Sequence, residues 1–265
     1  HYIPPLTAND LQQGGGGSIP YDQHLYLSTP STSDVTVKIT ILSTGQEITY
    51  TDLRNDNPKV YQLTADNPNQ EQALNGVLFV DKDGTGSNRL SSGLVIDADC
   101  PVYASIRYNA GAQAGALVSK GDASLGTHFR TGMMTNGNQS DENEFQNSTN
   151  SHNLNFISVM ATQDNTTVRI DLPNASPNLQ IANYNYNGNP IVQTLNRNES
   201  MIIAADARQP NNSGENRFAL IGALVRSIDD SGTVIVEDPT KPIVVNVGSA
   251  SGTFMSTEGG HDHGV

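Results

Sequence analysis

Asp34-Val-Thr-Val-Lys-Ile39, near the start of the chain, returns as Asn165-Thr-Thr-Val-Arg-Ile170 in its second half. Val37 maps onto Val168 at an offset of 131 residues. In the fuller run around the first copy, Val35, Val37, Ile39 and Ile41 fall on one face and Thr36, Lys38 and Thr40 on the other. This is the period-2 signature of a strand with one buried side. Each copy closes downstream on a proline followed by an apolar strand, Asp99-Cys-Pro-Val-Tyr-Ala-Ser-Ile106 and Lys241-Pro-Ile-Val-Val-Asn-Val247, with the prolines 141 residues apart. A strand unit stated twice predicts an all-β protein of two related β-sandwich-like lobes, made by internal duplication and packed against each other. A single large sandwich or a propeller-like arrangement is the alternative.

Working outward, strand signals recur about every 10–15 residues with turn residues between them. That spacing suits a sandwich or barrel rather than alternating strands and helices. The first half offers His24–Ser28, Glu47–Leu53, Val60–Leu63, Val77–Val80, Leu94–Ile96 and Val102–Tyr108. The second half offers Phe156–Ala161, Thr166–Leu172, Leu179–Tyr186, Pro190–Leu195, Met201–Ala205, Phe218–Arg226, Thr233–Glu237 and Ile243–Val247. Asn187-Gly188 between two alternating runs predicts a two-residue hairpin. One short helix is expected at Pro68–Leu74, capped by Asn67 and stopped at Gly76.

The expected organisation is a flexible N-terminal tail over 1–22, a first β lobe over 23–118, a polar connecting region over 119–155 and a second β lobe over 156–265. The tail rests on Pro4-Pro5 and the run Gly14 to Gly17, although Ile3, Leu6 and Leu11 could pin it to a neighbouring surface. The connecting region opens with Gly121-Asp-Ala-Ser-Leu-Gly-Thr-His128 and continues as an Asn- and Ser-rich stretch from Thr135 to Asn153. Loops of that length are usually functional or mobile.

Composition narrows the function. The chain of 265 residues carries a net charge of −13, with only 14 Lys and Arg, scattered singly. Phosphate backbones are held by clustered Lys and Arg, so nucleic acid is not an expected partner, and neither is a bare anionic membrane. No apolar run reaches membrane-span length. Hydrophobic residues are 35% and charged residues 15%, with 28 Asn and 24 Gly making up the polar, turn-forming remainder. The single cysteine, Cys100, is read as a buried, inert thiol in an apolar strand. The abrupt start at His1 fits a mature N-terminus, and the stop at Val265 suggests a fragment of something longer.

Two motifs have metal-ligand character. Asp81-Lys-Asp83-Gly84-Thr85-Gly86 sets two carboxylates in a turn, as calcium loops do. It matches only the opening of an EF-hand loop, since Ser92 stands at the twelfth position. An acidic hairpin turn and a calcium site involving Asp81 and Asp83 are the two readings. Gly259-Gly-His261-Asp-His263 places two imidazoles on one face of a strand, as a metal pair or as structural hydrogen-bonding groups. Nucleophilic catalysis has little to build on. Gly248-Ser-Ala-Ser-Gly252 has Ala250 where a hydrolase elbow needs serine, and His128 beside Phe129 reads as packed. No cofactor is expected, calcium apart.

Phe156-Ile-Ser-Val-Met-Ala-Thr-Gln-Asp-Asn-Thr-Thr-Val-Arg-Ile170 resembles the hallmark strand–turn–strand of the IgGFc-binding protein N-terminal domain family. Asp99–Ile106, Leu125-Gly-Thr127, Thr233 to Gly248 and Asp262-His263 resemble its other segments in the same order, so the resemblance extends over roughly 25–265. Within the family, the chain is similar to the N-terminal region of giant surface adhesins of gliding bacteria, exported by type IX secretion. The resemblance implies a non-catalytic, secreted, cell-surface binding module for an extracellular glycan or protein ligand, or for other envelope proteins. A polysaccharide-acting hydrolase or a structural docking module is the alternative. The contacts are expected in the loop 135–153 and the tail. Gly260-His261 stands where cysteine-containing members have Cys before Asp-His, so the family disulfide is not implied here.

Overall fold

The computed structural model describes residues 1–8, 20–64, 77–81, 84–86, 88–110, 113–133, 154–177, 179–206, 218–229, 236–253 and 261–264. No α-helix occurs among them; a 3₁₀ turn lies at Gly121–Ser124. The strands of the first half are β1 (Tyr2–Ile3), β2 (Leu6–Ala8), β3 (Tyr21–Ser28), β4 (Val35–Ile41), β5 (Gln46–Leu53), β6 (Lys59–Gln62), β7 (Phe79–Asp81), β8 (Leu94–Ala98), β9 (Tyr103–Ala110) and β10 (Gln113–Ser119). Those of the second half are β11 (His128–Arg130), β12 (Leu154–Ala161), β13 (Thr166–Asp171), β14 (Ile191–Leu195), β15 (Ser200–Asp206), β16 (Leu224–Asp229), β17 (Val236–Glu237), β18 (Ile243–Thr253) and β19 (His261–Gly264).

They form two sandwiches. In the first, sheet I runs β1-β8-β4-β5 and sheet II runs β10-β9-β3-β6. In the second, sheet III runs β11-β16-β13-β14, with β17 beside β16, and sheet IV runs β15-β12-β18-β19. The orders correspond strand for strand, and the registers correspond as well. Ile39 faces Ile96 and Ile48 in sheet I, as Ile170 faces Val225 and Ile191 in sheet III. Leu25 faces Ile106 and Tyr61 in sheet II, as Ile157 faces Val247 and Ile203 in sheet IV. Even the link into each closing strand repeats: the hydroxyl of Thr29 donates to the Pro101 carbonyl at 2.8 Å, and that of Thr162 donates to the Pro242 carbonyl. The duplication expected from the sequence therefore extends to individual cross-strand pairs.

The alternation explains the two cores. Val35, Val37, Ile39 and Ile41 of β4 turn inward against Leu25, Leu27, Ile96 and Ile106. Val168 and Ile170 do the same against Ile157, Val159, Ile191 and Val225. Sheet IV departs from simple alternation. Its inward residues Ile157, Val159, Met201 and Ile203 belong to the second core, yet its outward residues Phe156, Met160, Ile202, Ala204 and Val244 are equally buried. Phe156, Ile202 and Ala204 belong to the first core. Here β2 lies against β15 and β18, and the segment before β8 runs along β15: Leu90 and Ser200 exchange both backbone hydrogen bonds at 2.8 Å, and the Gly86 N–H donates to the Ile202 carbonyl at 2.8 Å. The first sandwich thus roofs the outer face of sheet IV.

Several expectations need correction. Residues 1–8 are not a flexible tail: β1 completes sheet I, β2 pairs in parallel with β7, and Ile3 and Leu6 are buried because they close the joint to sheet IV. Residues 9–19 lie outside the described residues, as does the expected helix at Pro68–Leu74. β11, from the stretch expected to connect the lobes, completes sheet III. The small-residue stretch before it contains the edge strand β10. Asn187-Gly188 makes no hairpin. Ile181 instead bridges back to Ala205 and Tyr184, so residues 179–186 wrap over the edge of sheet IV while β14 pairs with β13. Cys100 is exposed rather than buried, because β8 ends at Ala98 and the Asp99-Cys100 bend turns outward, held by the Asp99 carboxylate accepting from the Thr36 N–H at 3.0 Å.

Candidate binding surface

Sheet II corresponds to sheet IV, but among the described residues no strand covers its outer face. Along β3, Leu25 and Leu27 turn inward, which sends His24, Tyr26 and Ser28 out; along β9, Ala104, Ile106 and Tyr108 turn inward, which sends Tyr103, Ser105 and Arg107 out. The register then lines up Val118, Ser105, Tyr26 and Val60 as one row across all four strands. The adjoining row is Ala116, Arg107, His24 and Gln62. The Arg107 guanidinium lies 5.3 Å from the centre of the Tyr26 ring, and the His24 ring lies 6.2 Å from it. A cation held over an aromatic face is stabilised there, so this centre is preorganised.

The face is unusual for its apolar content. Six large hydrophobic side chains are exposed among the described residues, and four lie here: Tyr26 at 38%, Val60 at 50%, Tyr103 at 66% and Val118 at 66%. The other two, Val192 and Val236, belong to sheet III and the β17 beside it. Clustered exposed apolar groups with an Arg and aromatic centre have the composition of recognition surfaces. In sheet IV the matching positions hold Phe156 for His24, Ser158 for Tyr26, Ile202 for Val60 and Val244 for Tyr103, all buried.

Other polar clusters act structurally. Asp171 receives Arg169 at 2.7 Å and Arg226 at 2.8 Å on the outer side of sheet III. Partial burial raises its pKa, but the two guanidiniums outweigh this and hold it below the usual aspartate range. They thereby allow two arginines to sit directly opposite each other, at Arg169 and Arg226, a placement that repels on its own. His128 Nδ1 meets Glu237 Oε1 at 2.5 Å, tying β11 to β17. The His1 ring sits between the Ser119 hydroxyl, at 2.9 Å, and the Val102 carbonyl, at 3.1 Å, beside a cleft of about 500 Å³ that Asp97, Asp99, Cys100 and Asp122 also line.

The residues expected to hold metal fall largely outside the described residues. Asp81 ends β7, paired in register with Ala8. Asp83 lies outside the described residues. His261 and Asp262 pair in register with Thr253 and Gly252, and His263 lies with them on β19, the outer strand of sheet IV; the side chains of this strand are outside the description. Among the described residues no three His, Cys, Asp or Glu side chains converge on a common point. The loop expected to make contacts, 135–153, also lies outside them. The outer face of sheet II leaves little signal in the sequence beyond the alternation of His24-Leu-Tyr-Leu-Ser28.

Fold and surface together define a tandem, internally duplicated β-sandwich protein that presents a flat sheet face. Residues 114–265, more than half of the chain, match the IgGFc binding protein family, and the chain belongs to that family. No curated protein and no solved structure matches it. The matched segment holds the second sandwich and β10. The resemblances at Leu125–Thr127, Phe156–Ile170, Thr233–Gly248 and Asp262-His263 fall inside it, whereas Asp99–Ile106 falls before it. No helix among the described residues is long and apolar enough to cross a membrane.

Proposed function

We propose that this chain is a non-catalytic, extracellular binding module, that its ligand is a protein, and that the outer face of sheet II makes the contact. One observation carries this reading: among the described residues, four of the six exposed large hydrophobics cluster on the one sheet face whose duplicate is buried by the other lobe. The resemblance to surface adhesins of gliding bacteria supports a place near the N-terminus of a large secreted adhesin on the bacterial outer surface, with a part in attachment or gliding. The test is a pair of surface substitutions, Tyr26→Asp and Val118→Asp, in the protein displayed on cells or beads. Val118 is 66% exposed, so its change should leave melting nearly unshifted, since surface changes alter stability by about 0.5 kcal/mol or less. Tyr26→Asp also gives up the Arg107 contact, about 0.5–1 kcal/mol, and should lower melting by a few degrees without unfolding the chain. Attachment to the native surface should fall. Undiminished attachment by both variants rejects the face as the contact.

A further inference from the structure

We propose that the open face of sheet II binds by strand addition: an extended segment of a partner polypeptide, carrying alternating apolar side chains, pairs with edge strand β6 and turns onto the row Val60, Tyr26 and Val118. This rests on the binding-module reading and adds the mode and the chemistry of the ligand.

The argument comes from the duplicate. In sheet IV, the edge strand β15 does not end in solvent. Gly86 and Leu90 of the first sandwich, and Ala182 beyond them, add their backbone groups to Ile202, Ser200 and Ala204 at 2.8–2.9 Å. The same lobe then covers the outer face of the sheet with β2, which lies against β15 and β18. An added segment plus an apolar cover is therefore the way this sandwich closes a sheet of this kind.

β6 is the counterpart of β15. Val60 faces Tyr26 as Ile202 faces Ser158, and Lys59 faces Leu27 as Met201 faces Val159. In an antiparallel strand, the N–H and C=O of one residue point to the same side. Ile202 directs its carbonyl away from β12, toward Gly86. By the same register Val60 directs its N–H and C=O away from β3, where no described strand follows. Pro58 occupies the position of Ser200 and has no N–H, so the added ladder is short and starts at Val60.

Size selects the occupant. Four strands about 4.8 Å apart, spanning about six residues along their length, give a face roughly 19 Å by 20 Å, near 400 Å². A stable protein–protein interface takes about 800 Å² from each partner. A second copy of the chain, docking broadside, is therefore a poor fit, whereas an extended segment that gains backbone hydrogen bonds as well as side-chain pockets is a good one.

The test pans displayed random linear 12-residue peptides against the whole chain and measures the enriched peptides on three variants. Val60→Pro removes the outward N–H and is tolerated on an edge strand. Val60→Thr keeps that N–H with a similar shape. Tyr26→Asp disrupts the face. Strand addition predicts enriched peptides of alternating apolar pattern that lose about tenfold or more in affinity on Val60→Pro, as expected for one or two backbone hydrogen bonds. They should be nearly unaffected by Val60→Thr, weakened by Tyr26→Asp, and should slow hydrogen exchange at the Val60 amide. If Val60→Pro melts early, N-methylation of alternate peptide backbone positions gives the same reading from the ligand side. Peptides weakened by Tyr26→Asp but indifferent to Val60→Pro and to N-methylation overturn strand addition while leaving the binding face intact. Peptides indifferent to every variant overturn both readings. A failure to enrich any peptide overturns strand addition.

Discussion

Replacing Phe156 by alanine tests how the two sandwiches are joined. Phe156 sits on β12 of the second sandwich, is 1% exposed, and packs into the first core rather than its own. Truncating a fully buried Phe removes its transfer free energy and leaves a cavity, costing about 3–5 kcal/mol. Whole domains are stable by about 5–15 kcal/mol, so this single change removes a large share. Its neighbours on the strand, Ile157 and Val159, stay in the second core, so the second sandwich loses no inward contact directly. If the joint couples the lobes, both nonetheless weaken together. The assay is urea unfolding followed by circular dichroism, with hydrogen-exchange mass spectrometry reading peptides that contain 35–41 and 166–171 separately. We expect a midpoint drop matching about 3–5 kcal/mol at unchanged slope, and reduced protection in both peptides. A loss below about 1 kcal/mol, the size of a typical surface or minor core change, would refute the joint. So would protection at 35–41 that stays at the wild-type level.

Gly86 has a φ of +86°, and a Cβ there would lie 2.6 Å from the Asn183 carbonyl oxygen. Gly86→Ala should therefore cost roughly 2 kcal/mol or more, from left-handed strain plus the clash, read as a lowered melting temperature; a neutral outcome would mean that the segment beside β15 is misplaced. Asp171 is held below the usual aspartate range by Arg169 and Arg226, so its contribution is present above about pH 3.9 and is lost as pH falls through its folded value. Asp171→Asn should cost about 1.5–3 kcal/mol at neutral pH, and the melting curves of variant and wild type should converge below about pH 4; a gap that persists in acid argues against the charge network. Calcium at Asp81 and Asp83 stands as a proposal: it predicts a calcium-dependent rise in melting temperature that chelation reverses and Asp83→Ala abolishes.

The chain sequence alone determined that the protein is built of strands, that the unit is doubled, and which residues of each strand share a side. Those follow from period-2 alternation, a local property: Val35, Val37, Ile39 and Ile41 go inward together whatever surrounds them. Sheet IV was partly legible too, since Met201-Ile-Ile-Ala-Ala205 lacks a polar side and so belongs to a strand buried on both faces. Local signals failed where distant residues outbid them. Asn187-Gly188 favours a hairpin, yet Ile181 is drawn to Ala205 at the sheet edge. The proline- and glycine-rich opening favours a free tail, yet Ile3 and Leu6 gain more by entering the joint.

Only the tertiary structure decided which of two homologous outer faces is roofed and which meets solvent. That choice depends on surfaces brought together from segments about 110 or more residues apart, such as Leu90 on Ser200 and Gly86 on Ile202. Apolar burial is non-directional and scales with the area removed from water, so a strand records that it has an oily side but not which distant partner will cover it.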